Sequence, residues 1–173
     1  MRKIRLTLFA ALLVSFSVSM AQAQPTPQPT PQTGSLYSAE VHKVIYPDPS
    51  MAHAELQHAL TVARREHKRV ILDFGGNWCP DCKVLDYYFH EAPNAGLLAR
   101  NFVLVDVNIG RYDKNLDMAE TYGVPLHKGV PALAVLSAHG RLLYSQKNGE
   151  FENMRQMSPD SVTSFLTQWK PAR

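Results

Sequence analysis

The run Trp78-Cys79-Pro80-Asp81-Cys82-Lys83 holds both cysteines of the chain. Two cysteines separated by two residues are close enough to join as a disulfide and to part again. The preceding Val70-Ile71-Leu72-Asp73-Phe74 is a short apolar run of the kind that forms a buried strand. The residues that follow, 84–90, predict a helix. Cys79 then stands where a strand hands over to a helix N-terminus. Unpaired N–H groups and the helix dipole favour a thiolate there. At this level the pair reads as a redox couple, a structural staple or half of a metal site. A loop this short restricts the unfolded chain by only about 2 kcal/mol in the entropy model. No second ligand pair at zinc spacing follows. Redox work is therefore preferred, with a soft Cu(I)-handling thiol pair as the rival from another class. No Met-rich or His-rich tract accompanies the cysteines to support that rival.

The 173 residues are 45% apolar, enough for one sizeable core. The formal charge of +3 is unevenly placed: Arg2, Lys3 and Arg5 open the chain and no acid precedes Glu40. These cations, the mostly apolar residues 6–18 and Ala21-Gln22-Ala23 have the form of an export signal. The apolar stretch has 13 residues, short of the ~20 that a spanning helix needs. Cleavage after Ala23 is thus preferred to a membrane anchor. The expectation is a signal peptide over 1–23, no membrane span after cleavage, and a periplasmic or secreted protein. Without its three cations the chain is formally neutral, so no nucleic-acid face is indicated. Residues 24–34 alternate Pro with Gln and Thr and read as an extended linker. Residues 35–173 remain as the domain.

Outward from the cysteines, the chain predicts alternating elements. A weak strand is expected over 35–46, best at Val44-Ile45-Tyr46. Asp48-Pro49 marks a helix start, with Leu56, Ala59, Leu60 and Ala63 at helical spacing. His53, His58 and His67 do not share a face and read as solvated. Asn94 is placed to cap a short turn. Residues 102–109 read as a third strand, whose apolar start predicts a central position. Residues 130–136 and 142–145 predict an antiparallel pair. Ser158-Pro159-Asp160 starts a last helix with Val162, Phe165, Leu166 and Trp169 inward. The order predicts an α/β fold, a central mixed sheet of about five strands with helices on both faces. Pro80 fits a first helical turn. Asp81 puts negative charge beside Cys79, which predicts a less stable thiolate and a less oxidising couple. Asp73 is a carboxylate in an apolar strand, costly to bury unless it reaches a loop amide, solvent or a catalytic role. No GxGxxG or P-loop is present, so no dinucleotide or nucleotide cofactor is expected, nor any metal.

Four features together resemble the thioredoxin superfamily over roughly residues 55–170. They are the WCxxCK run at 78–83, Asp73 six residues before Cys79, Gly129-Val130-Pro131-Ala132-Leu133, and the element order. The resemblance implies a thioredoxin fold and thiol–disulfide exchange without a cofactor. It makes Cys79 the nucleophile and Cys82 the resolving thiol. Asp73 becomes the proton acceptor for Cys82. Pro131 is implied to be cis, with Val130 presenting its backbone to an extended substrate segment and Trp78 as a platform beside the sulfurs. Pro80 and Asp81 tune the couple. The implied partners are disulfide-containing exported proteins and an electron-donating thiol protein, such as a shuttle at the inner membrane. Reduction is preferred to oxidation or isomerisation. The chain departs from the family pattern at Asp81, at Asp106 (where a lysine is usual) and in the longer Pro125-Leu126-His127-Lys128 linker.

Overall fold

The computed structural model describes residues 44–172; the expected signal, the linker and residues 35–43 lie outside them. Asp48 opens the first helix as its spacing predicts. Its Oδ1 accepts from Ser50 N–H at 2.9 Å, and a 3-10 turn, Pro49–Met51, leads into α1, Ala52–Glu66. His67 ends α1 in the left-handed region, φ 55°. There follow β1 (Arg69–Gly75), α2 (Pro80–His90), α3 (Asn94–Asn101), β2 (Phe102–Asn108) and α4 (Leu116–Thr121). The chain closes with β3 (Ala132–Leu136), β4 (Leu142–Ser145) and α5 (Pro159–Trp169).

Among the described residues four strands form one sheet in the order β2-β1-β3-β4. The β1–β2 pair is parallel, while β1–β3 and β3–β4 are antiparallel. Period-2 alternation splits the core into two layers. Val70, Leu72 and Phe74 join Ala132, Ala134 and Leu136 against α1 and α4. Ile71, Leu133 and Val135 join Leu85, Phe89, Val162 and Leu166 from α2 and α5. The expected mixed sheet with helices on both faces is therefore present. Among the described residues no helix is long and apolar enough to cross a membrane.

Three local expectations are corrected. Val44-Ile45-Tyr46 is not a strand, because the Asn77 side chain takes its main chain. Asn77 Oδ1 accepts from Ile45 N–H and Tyr46 N–H at 2.8 and 3.1 Å, and Nδ2 donates to Tyr46 O at 2.7 Å. Among the described residues β2 lies at the end of the four-strand order rather than in its middle, with β1 and β3 in the interior positions. Its apolar start reflects covered faces, and face coverage says nothing about how many edges are paired. Asn94 does not cap α3. Its Nδ2 donates to Tyr88 O and Pro159 O at 3.0 and 3.3 Å, and its Oδ1 accepts from Thr163 Oγ1 at 2.7 Å, tying α2 to α5.

The Asn77 clamp gives a stability prediction. Asn77→Ala leaves three main-chain groups to find water, and each net hydrogen bond contributes about 1 kcal/mol. The expected loss in unfolding free energy is about 1–3 kcal/mol by urea titration. A change within a few tenths would show that water replaces the clamp at no cost.

Candidate active site

β1 ends at Gly75, and the turn Gly76-Asn77-Trp78 swings the chain into α2. Cys79 N–H closes this turn on Gly76 O at 2.9 Å. Gly75 is required for steric reasons: a Cβ there would collide with the Tyr46 ring and lie 2.8 Å from Cys82 Sγ. Cys79 is the N-cap of α2 with extended backbone, φ −87° and ψ 115°. Its Sγ accepts from the Cys82 N–H at 3.1 Å. The sulfur thus occupies the position that a Ser or Asp oxygen takes in an ordinary cap. Pro80 follows at N1, where no N–H is needed. Cys79 and Cys82 are joined as a disulfide with Cα atoms 5.3 Å apart. Cys79 is 3% exposed and Cys82 is fully buried.

Three further pieces surround the sulfurs. The Val130–Pro131 peptide is cis, and Val130 O lies 3.5 Å from Cys79 Sγ. Trp78 stands on the other flank, its Nε1 donating to Gly110 O at 2.5 Å. The Tyr112 ring lies 5.6 Å from the Trp78 ring, and the Arg111 guanidinium sits 5.1 Å over it. His127 and Lys128 are exposed on a 3-10 turn before Gly129.

The floor of the site is acidic. Asp73 is 1% exposed. Tyr46 Oη donates to its Oδ2 at 2.8 Å, and Oδ1 has no hydrogen-bond partner among the described residues. Asp106 is paired opposite Asp73 in the parallel β1–β2 register. Burial first, then the Asp106 charge, push the Asp73 carboxyl well above the usual carboxylate range; Asp86 adds to this and the Tyr46 hydrogen bond opposes it. No lysine answers Asp73 from the Asp106 position. A neutral tyrosine does so instead, its own hydroxyl pushed up chiefly by burial.

Asp81 differs from its expectation in one respect. It is not a bare charge beside Cys79, because Arg155 holds it from the β4–α5 connection. Arg155 Nε lies 3.2 Å from both carboxylate oxygens and the Arg155 N–H donates to Oδ1 at 3.0 Å. The structure therefore brings Asp73, Trp78, Pro80, Asp81, Val130 and Pro131 around the cysteine pair. Sequence reasoning missed Tyr46, Arg155, Arg111 and Tyr112. Arg155 is 74 residues from Asp81, and nothing local marks it. Tyr46 left one signal, a hydroxyl in an otherwise apolar run.

Residues 51–138 match the sequence model of the thioredoxin-like family. The chain belongs to the thioredoxin-like family. Within it, a crystal structure described as a disulphide isomerase from Xylella fastidiosa Temecula1 is 34% identical, with a TM-score of 0.70 over 73% of this chain and 97% of that one. The thiol:disulfide interchange protein DsbD of Pseudomonas fluorescens is 32% identical over 127 residues, 69% of this chain. DsbD of Vibrio vulnificus is 29% identical over 87 residues, half of this chain. The chain spans only 19% and 14% of those two relatives. Family, fold and the Cys79–Cys82 pair make this protein a thioredoxin-like disulfide oxidoreductase.

Two measurements probe the charges. An unfolded Asp ionises near pH ~3.9, and Asp73 in the folded chain ionises higher. Between the two values the native state holds more protons, so stability falls as pH rises through that window and stays low above it. Asp73→Asn in the disulfide form is expected to raise Tm at neutral pH by several degrees, since 1 kcal/mol moves Tm by roughly 2–8 °C. The gain should close below about pH 4; a gain that is flat with pH would rule out the burial penalty. Separately, Arg155→Gln uncovers the Asp81 carboxylate and Asp81→Asn removes it. Their reduction potentials are expected to move in opposite directions, down and up, by on the order of 10–30 mV. Shifts of the same sign would show that the pair acts through structure rather than charge.

Proposed function

We propose that the protein is an exported reductase that delivers electrons through Cys79 and Cys82 to disulfides of other exported proteins. The observation that carries the direction is the acidic floor. A strong oxidant is one whose reduced, thiolate form is stabilised. Here the helix N-terminus favours the Cys79 thiolate, but Asp106 and Asp86 already make the buried Asp73 hold its proton, and a second negative charge over the same floor meets the same opposition. The nearby Arg155 cation is held by Asp81. The couple is therefore expected to give electrons more readily than to take them.

In this reading the Cys79 thiolate attacks a substrate disulfide. A Cys79–substrate bond forms, the substrate S–S bond breaks, and the first substrate sulfur leaves as a thiolate. Cys82 then loses its proton to Asp73 and attacks the Cys79 sulfur. The Cys79–Cys82 bond forms, the Cys79–substrate bond breaks and the second substrate sulfur leaves as a thiolate. A dithiol protein returns the two electrons. The Val130 main chain beside Cys79 and the Trp78–Tyr112 rim are the surfaces for an extended substrate segment. Export rests on the signal-like residues 1–23, and a thiol protein as electron donor agrees with the thiol:disulfide interchange proteins among the relatives. The likeness to a structure described as a disulphide isomerase makes disulfide shuffling the second reading.

The test is covalent trapping. Cys82→Ser is expected to leave Cys79 joined to its substrates in cell-envelope extracts, where mass spectrometry identifies them. Absence of mixed disulfides would overturn the order of attack. The wild-type reduction potential is expected near the reducing end, about −270 mV. A value near about −180 mV would favour shuffling, and one near about −120 mV oxidation.

A further inference from the structure

Tyr46 stands outside every strand and before the first helix, yet it is 1% exposed. Asn77, in the turn that leads into the cysteines, grips its main chain on both sides. Its hydroxyl reaches Asp73 Oδ2 at 2.8 Å. A methyl group added to Gly75 would lie 2.6 Å from Tyr46 Cζ and 2.8 Å from Cys82 Sγ. The tyrosine and the resolving sulfur thus flank the same point of β1, with Asp73 two residues before it. Oδ2 is held by Tyr46, and Oδ1 is the oxygen without a hydrogen-bond partner among the described residues.

We propose that Tyr46 is the positioning residue of the resolving step: its hydroxyl fixes the Asp73 carboxylate beside Cys82 as the group that takes the Cys82 proton. This rests on thiol–disulfide exchange by the Cys79–Cys82 pair. The step begins with Cys79 joined to substrate and Cys82 as a thiol. The Cys82 proton passes to Asp73. The Cys82 sulfur bonds to Cys79 Sγ, the Cys79–substrate bond breaks, and its electron pair leaves on the substrate thiolate. Two protein thiols are oxidised to a disulfide, the substrate disulfide is reduced, and Tyr46 ends unchanged.

The charged groups facing Asp73 are Asp106 on β2 and Asp86 on α2, and both make Asp73 hold its proton. The Tyr46 hydrogen bond is the interaction that works against them. Tyr46 keeps its own proton, because burial and the same carboxylates push its ionisation up. Without the hydroxyl, every interaction that remains at Asp73 favours the protonated carboxyl, which cannot accept.

The experiment mixes the reduced full chain with excess 5,5′-dithiobis(2-nitrobenzoate). Attack by Cys79 releases one coloured thiolate, and resolution by Cys82 releases the second. Tyr46→Phe keeps the ring and removes the hydroxyl. It is expected to move the rising limb of the second-phase pH profile up by about one unit, slowing that phase about tenfold at the foot of the limb. The first phase should stay within about twofold. Asp73→Asn should lose the limb, and adding Tyr46→Phe to it should change nothing more. Replacement of Tyr46 by 3-fluorotyrosine retains a hydroxyl that donates more strongly, and should move the limb down. A Tyr46→Phe limb that coincides with wild type, or a Tyr46→Phe effect that persists with Asp73→Asn, would overturn this inference alone. A wild-type protein that releases a single equivalent would overturn the exchange reading and this inference with it.

Discussion

The Cys82 N–H points at the Cys79 sulfur across the first turn of α2, so one sulfur is both the candidate nucleophile and the helix cap. Much of the site is subordinate to that geometry. An N-cap needs extended backbone, and β1 with its tight turn delivers it. The orphan N–H groups of the turn favour negative charge on the sulfur, so the position that stabilises the helix also activates the thiol. The cap holds only if α2 is fixed. Its Leu85 and Phe89 are fully buried against Ile71 and α5. Core packing on one side of the sheet therefore sets the position of a sulfur at its edge.

Two sets of carboxylates stand near this sulfur pair, and they differ in burial and in what answers them. Asp81 is close in sequence, but its partner Arg155 has a side chain 56% exposed. An ion pair that open to water contributes about 1 kcal/mol or less. Its larger effect is geometric, because the Arg155 main chain is bonded as well and draws the β4–α5 connection onto the N-terminus of α2. Asp73 is fully enclosed and answered by a hydroxyl rather than a cation. Each unit by which its ionisation is displaced represents about 1.4 kcal/mol. Burial is the largest cause of that displacement for this acid on β1.

The β4–α5 connection also reaches the cis-proline side. A Cβ at Gly129, φ 108°, would collide with Glu152, and one at Gly149 would meet Lys128 O at 2.7 Å. The same segment thus touches the turn before Val130 and, through Arg155, the start of α2. Phe151 and Met154, 5% and 0% exposed, anchor it in the layer shared with α5. The rim around Cys79 is consequently tied to the packing of a segment that carries no recognisable motif.

The sequence alone determined most of the described elements and the reactive pair, because both are written in local signals; the strand expected at Val44-Ile45-Tyr46 is the exception. Asp48-Pro49 and Ser158-Pro159 mark helix starts, short continuous apolar runs mark β1 and β3, and two cysteines at a strand–helix junction mark the chemistry. Asp73 was legible as an anomaly, a carboxylate in an apolar run. The tertiary structure alone decided the order of the described strands, with β1 and β3 between β2 and β4, and the partners of the two acids. Tyr46 is 27 residues from Asp73 and Arg155 is 74 from Asp81. Such pairings depend on where turns and packed layers bring distant segments. No periodicity, cap or composition records that, so the chain announces its sulfurs while the fold chooses the charges around them.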